Sequence, residues 1–302
     1  MSDYNINYNL YLPSYSIGPD CYKEIPHVTR FFGKTAAVIG GKTAMAKAKK
    51  AMIDGVAGSD VKLLDFIEYG GDSTYENGDA LIANPTVRDA DMIFAVGGGR
   101  ACDTGKYVAD KLDKPLFTFP TVASNCASVT AISVIYNPDG SFREYYYPKL
   151  ANHCFINSAV IADSPEQLLW AGIGDTYAKF YEVSISARGE RLEQFRAAGV
   201  TLCRMCLDTM REHGAQALEA NRSGQSTYAL EQVVLTMNAT HGLNIAIKSL
   251  VPRGGRVLIS GYEHNAVTRP LAALGADVSV ADGPLFHPEA VEEAFDALVR
   301  PG

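Results

Sequence analysis

Apolar residues recur along the first half of this chain in short runs, most of them closed by glycine or proline. Thr35–Ile39, Val61–Phe66, residues 91–96 and Leu116–Phe119 read as strands. Between them, polar and apolar positions alternate at helical spacing over 44–53, 74–83 and from the glycines at 97–99 to about 112. Continuous apolar runs mark strands covered on both faces, and strand–helix alternation marks a parallel sheet with helices on both sides. Ahead of these, residues 8–17 form an extended leading segment closed by Gly18-Pro19-Asp20, with a short helix after it. Behind them, 131–137 and 142–147 flank Pro138-Asp139-Gly140-Ser141 and predict a β-hairpin, and 154–162 reads as a last strand-like run. After Asp163-Ser164-Pro165 the pattern turns helical to about 220.

The fold expectation is therefore α/β: a Rossmann-like parallel-sheet domain over 1–164, a helical segment over 165–230, and a C-terminal βαβ-type fragment over 231–302. In the last part, 233–236, 256–260 and 277–281 read as strands, and 239–250, 265–274 and 288–298 as helices.

One stretch concentrates the candidate chemistry. Asp91-Met-Ile-Phe-Ala-Val-Gly97-Gly98-Gly99-Arg-Ala-Cys-Asp103-Thr-Gly-Lys106 is a strand, a glycine turn and the start of a helix. Free backbone N–H groups and the positive end of the helix dipole then point at one place, which is a phosphate site. The spacing is not G-x-G-x-x-G, and a tight turn without a ligand uses the same residues. Parallel sheets bind ligands beyond the carboxyl ends of their strands, where both this turn and the loop after Phe119 lie.

Composition narrows the class. Of 302 residues 47% are hydrophobic and 20% charged, which is enough to bury a core. The net charge of −7 argues against nucleic acid or an anionic membrane as partner. No apolar run reaches the length of a bilayer span, and the start shows no signal-peptide pattern. Six scattered cysteines suit a reducing compartment, so a cytoplasmic location is expected. Cys203-Arg-Met-Cys206 is a single C-x-x-C in a helical pattern and reads as packing rather than zinc or redox chemistry.

Several of these pieces together resemble the iron-containing alcohol dehydrogenases, glycerol dehydrogenase among them. The resemblance rests on Gly97-Gly98-Gly99 with Asp103 and Lys106, on Phe119-Pro-Thr121-Val-Ala-Ser124, on Ala131-Ile-Ser-Val134-Ile-Tyr136, and on Ala171-Gly-Ile-Gly-Asp175. It runs in order from about residue 8 to about 230. It implies that the Gly97, Gly98 and Gly99 backbone holds the NAD pyrophosphate and that Thr121 and Ser124 contact the cofactor. Ile132, Val134 and Tyr136 would line the nicotinamide side. Asp175 would be the first ligand of a divalent metal, zinc or iron, that polarises the hydroxyl of a small alcohol or polyol. Read without the resemblance, Asp175 is a helix N-cap, and Thr121 and Ser124 satisfy loop backbone. The family commonly forms oligomers, so a homo-oligomer is also implied.

The chain departs from the family at three places. Cys126 stands where glycerol dehydrogenases usually carry a substrate-contacting aspartate, which speaks against glycerol. Gly40-Gly41 stands where an acidic residue often holds the adenosine ribose, which loosens the choice of NAD over NADP. The two metal-binding histidines are not found, so an incomplete metal site and weakened activity are expected.

Residues 232–298 instead resemble the front of class V aminotransferases, the cysteine desulfurase group, through Ala239-Thr240 and Glu263-His264-Asn265. In that group the first pair opens a phosphate-holding helix, and the histidine stacks on pyridoxal phosphate. The Schiff-base lysine is missing and Lys248 lies in the wrong segment, so pyridoxal phosphate is not expected to bind. The whole reads as a fusion near 230. The resemblance implies a metal-assisted, NAD-dependent oxidoreductase of a small alcohol or polyol, the alternatives being an NAD-binding module without catalysis or a fragment of a pyridoxal-phosphate enzyme.

Overall fold

A computed structural model describes residues 14–188, 192, 194–237, 256–260 and 277–281, with a few helical positions between 290 and 298. The strands are β1 (Tyr15–Ile17), β2 (Thr35–Gly40), β3 (Lys62–Glu68), β4 (Met92–Gly97), β5 (Leu116–Pro120), β6 (Ser133–Tyr136), β7 (Phe142–Tyr146), β8 (His153–Ile156), β9 (Arg256–Ser260) and β10 (Asp277–Ala281). The helices are α1 (Ile25–Thr29), α2 (Lys42–Val56), α3 (Tyr75–Ala83), α4 (Pro85–Asp89), α5 (Gly99–Lys111), α6 (Ser158–Ala162), α7 (Glu166–Ser186), α8 (Gln194–Arg222) and α9 (Tyr228–Met237). The chain divides into two compact units, residues 1–174 with 209–238, and residues 175–208 with 239–302.

The first unit is built on a six-stranded sheet in the order β1-β8-β5-β4-β2-β3, and every pairing in it is parallel. Every residue of the central strands β4 and β5 is buried, which is why they carry no polar alternation. Along β4, Met92, Phe94 and Val96 pack with α1 and α2, while Ile93 and Ala95 pack with α3, α4 and α5. Rings of Phe94, Phe117, Phe119 and Phe155 form a continuous layer on the first face, with Phe94 and Phe119 centroids 4.9 Å apart. On the second face a Cβ at Gly105 would lie 2.4 Å from Ala95 Cβ, so this glycine lets α5 lie directly on the sheet. Antiparallel β6 and β7 form the expected hairpin as a separate two-stranded ribbon.

Two expected strands are otherwise. The run 154–162 is strand only to Ile156; Asn157 then caps α6, its Oδ1 accepting the Val160 N–H at 3.0 Å while its amide donates to the Pro19 carbonyl. An apolar run does not distinguish a buried strand from a buried helix, and here the cap decides. Residues 233–236 lie in α9, where Leu230, Val233 and Val234 are buried at helical spacing. β9 and β10 have the expected bounds and pair in parallel. The helices expected at 239–250 and 265–274 lie outside the described residues, as do Ala239, Thr240, Lys248 and His264. Among the described residues no helix is long and apolar enough to cross a membrane.

His153 fastens the edge strand. Its Nδ1 lies 2.6 Å from Ser14 Oγ and its Nε2 2.9 Å from Ser16 Oγ, and its ring rests on Phe155 at 4.7 Å. Burial holds its pKa below the usual value, so the folded chain keeps it neutral. The unfolded chain takes up a proton near pH 6.5 and the folded chain only below that, so stability is lost as pH falls beneath about 6.5. The urea midpoint should therefore drop on going from pH 7 to pH 5, and H153Q should show a shallower drop. An equal drop in the two proteins would exclude His153 as its source.

Candidate functional site

The sheet itself places a crevice. From β2 the chain passes through α2 to β3 on one side, while β4 joins β2 on the other. Helices leave β2 and β4 in opposite directions at this point, so a cleft opens at their carboxyl ends. Both strands end there in glycine. A Cβ on Gly40 would lie 2.4 Å from the Val96 carbonyl oxygen. Gly97 has φ +145°, which side-chain-bearing residues rarely adopt, and a Cβ there would lie 2.8 Å from Ala101 Cβ. The same point is 4.0 Å from the Gly41 amide nitrogen, so the two glycine turns lie against each other.

Each turn opens a helix. Gly98 caps α5 and Gly41 caps α2, and neither has a side chain to bond the first-turn N–H groups. These amides and the positive helix end suit an anionic group at the α5 terminus, which fits a dinucleotide pyrophosphate. Cys102, one turn in, is not activated by that position. Burial pushes its thiol pKa well up, outweighing the lowering by Lys106.

The loop after β5 closes one side of the turn. The buried Thr121 donates its N–H to the Gly97 carbonyl at 3.3 Å, and Val122 lies over Gly98. Ser124 Oγ accepts from Asn125 Nδ2 at 3.3 Å, and Asn125 is seated against Gly99. Asn125 also accepts the Ala127 N–H, so its side chain shapes both loop and turn. Sequence reasoning passed over it because a polar loop residue carries no periodic signal. Cys126 is half-buried at the start of the short 3₁₀ turn that follows.

The segment 130–136 meets α5 from the other side. Ile132 and Val134 are buried and Tyr136 is half-buried, with the Arg100 guanidinium 5.0 Å over its ring. Of the three, Tyr136 leaves the largest surface open to a ligand. Arg100, another residue the sequence did not single out, also pairs with Asp72 at 3.3 Å. The structure thus brings Gly97, Gly98, Gly99, Thr121, Ser124, Ile132, Val134 and Tyr136 around the N-terminal half of one helix.

Asp175 belongs to the second unit. It lies inside α7 rather than at its start, so it is not the helix cap that its Gly-Ile-Gly context suggests. Its Oδ1 is 3.0 Å from Lys179 Nζ, a buried ammonium that also contacts Glu182 at 3.2 Å. Among the described residues no group of three or more His, Cys, Asp or Glu side chains could hold a metal. A carboxylate already beside an ammonium, without further ligands, does not by itself fit a divalent ion. His241, His264 and His287 lie outside the described residues. Cys203 and Cys206 are buried thiols outside any disulfide, whose pKa values burial pushes up to about 12 and about 11, as packing residues would be.

Comparison with known proteins bears on the family and the fold. The family model for iron-containing alcohol dehydrogenase matches residues 13–164. Glycerol dehydrogenase 1 of Schizosaccharomyces pombe is 28% identical over 270 residues, covering 86% of this chain and 60% of that protein. Hydroxycarboxylate dehydrogenase A of Escherichia coli K12 is 30% identical over 262 residues, covering 83% of this chain and 70% of that one. The crystal structure of glycerol dehydrogenase from S. pombe superposes with a TM-score of 0.68 at 26% identity, over 79% of this chain and 65% of that one. The chain therefore spans about three fifths to two thirds of the S. pombe protein's length. The resemblance of residues 232–298 to class V aminotransferases gains no support from these comparisons. With its sheet, its paired glycine turns and this match over half its length, the chain belongs to the iron-containing alcohol dehydrogenase family.

Proposed function

We propose that this chain binds NAD and serves an oxidoreductase of small alcohols or polyols and their carbonyl counterparts. The observation that carries this reading is the convergence of two glycine-ended strands on the uncapped N-terminus of α5. The α5 amides hold the pyrophosphate, Thr121 and Ser124 flank it, and the 130–136 segment borders the nicotinamide. NAD supplies the hydride acceptor when bound. The protein's part is to fix the ring and to keep water from it, with the buried Ile132 and Val134 behind Tyr136. Cys126 offers no charged acceptor, so the substrate is read as a small alcohol or carbonyl that needs no carboxylate contact. Family membership leads one to expect a metal. Asp175 is its proposed first ligand. A cytoplasmic homo-oligomer remains the reading for location and assembly.

NADH fluorescence titration tests the site. Saturable binding is expected, and G97A should weaken it by about tenfold or more, since backbone strain of about 1–3 kcal/mol falls on the turn. Unchanged affinity in G97A would move the cofactor elsewhere. Metal content measured on the same sample shows whether the remainder of the chain completes a site with Asp175.

The end of β2 governs the choice between cofactors. A Cβ at Gly41 meets only Tyr69 Cε1, at 3.4 Å, so a side chain fits. Aspartate there accepts the ribose hydroxyls of NAD and repels the extra phosphate of NADP. G41D should raise the ratio of NADPH to NADH dissociation constants by about tenfold, the value of a charge-assisted hydrogen bond. An unaltered ratio would mean that the ribose does not reach α2.

A further inference from the structure

Asp103 and Lys106 form an ion pair inside α5, with Nζ 2.8 Å from Oδ1. The Lys106 side chain is fully covered and that of Asp103 is 4% exposed. A buried ion pair is weak evidence for stability, because desolvation offsets the attraction. Its other contacts show what it does, since they all go to one segment. Lys106 Nζ donates to the carbonyls of Thr130, at 3.2 Å, and of Ile132. Asp103 Oδ2 accepts the Val134 N–H at 3.0 Å, and the Asp103 carbonyl accepts from Ser133 Oγ at 3.0 Å.

Among the described residues β6 has a strand partner on one side only, β7. An isolated two-stranded ribbon is marginal, and its free edge needs partners. The pair supplies part of this with matched signs: the ammonium meets the carbonyls at 130 and 132, just before the strand, and the carboxylate meets the amide at 134, while the Tyr136 N–H donates to the Ser73 carbonyl at 2.8 Å. In effect one face of α5 substitutes for a neighbouring strand. The same helix begins at Gly99, about one turn before Asp103.

We propose that Asp103 and Lys106 are positioning residues that lock the nicotinamide-side segment 130–134 to the helix whose N-terminus holds the pyrophosphate. This rests on the cofactor reading above and deepens it. The pair fixes the distance between the two halves of the site, so that binding the pyrophosphate places the nicotinamide without ordering a loose ribbon. Removing one charge leaves the other buried and alone, so the informative variant neutralises both.

The test compares ADP, which lacks the nicotinamide half, with NADH, which uses both halves. In D103N/K106M the ADP dissociation constant should stay within about twofold and that for NADH should rise by about tenfold or more, collapsing the preference for NADH. Equal weakening of ADP and NADH, or no change in either, in a folded protein overturns the proposal. If the double variant does not fold, S133A decides, because it cuts one tie and keeps both charges. NADH weakened about threefold with ADP unchanged supports the lock, and unchanged NADH rejects it. Wild-type protein that binds neither ligand would instead sink the cofactor reading itself, an outcome that no variant result resembles.

Discussion

The closeness of two backbones at the carboxyl ends of β2 and β4 governs the first unit. The Val96 carbonyl stands where a Cβ of Gly40 would be, and Gly97 must turn out of the sheet at a φ of +145°. Neither position has room for a side chain, and Gly97 has no relaxed conformation for one. Because the chain turns so tightly, α5 starts directly beneath the strand ends, and its first amides face the crevice rather than a capping side chain. The loop after β5 and the segment 130–136 then find their places against α5. A shift of the turn would carry all of them with it.

The second constraint is the burial of charge behind that turn. α5 lies on the sheet through Gly105 and turns Asp103 and Lys106 away from water. Two charges in such a place must satisfy each other and the polar backbone around them, and the backbone within reach is 130–134. The N-terminal half of α5 and the segment 130–134 are therefore tied to each other by these contacts. Tyr107 continues the same logic toward the surface: its hydroxyl donates to Asp79 at 2.8 Å, tying α5 to α3.

The centre of the sheet was legible because β2, β4 and β5 are short, apolar and closed by glycine or proline, and the glycine turn because its positive φ favours glycine. The run 154–162 was ambiguous because one buried strand residue looks like one buried helix residue until the Asn157 cap is seen to work. Residues 233–236 misled because three adjacent apolar residues and a threonine show no period, whereas Leu230 with Val233 and Val234 does. Asp103 and Lys106 stood out as a motif, but their contacts with 130–134 cross more than twenty positions of sequence and follow from no local spacing. Asn125 and Arg100 left no mark at all, since their roles come from what lies across the turn. Asp175 was found by resemblance, and its neighbour Lys179 changes its electrostatics in a way that the motif does not reveal.

The central claim is that one helix terminus and the segment tied behind it form a single dinucleotide site. Amide hydrogen exchange with and without saturating NADH tests it directly. The account predicts slowed exchange at residues 98–101 and at 130–136, with α8 unaffected. Protection confined to other parts of the chain, or protection at 98–101 with none at 130–136, would contradict it.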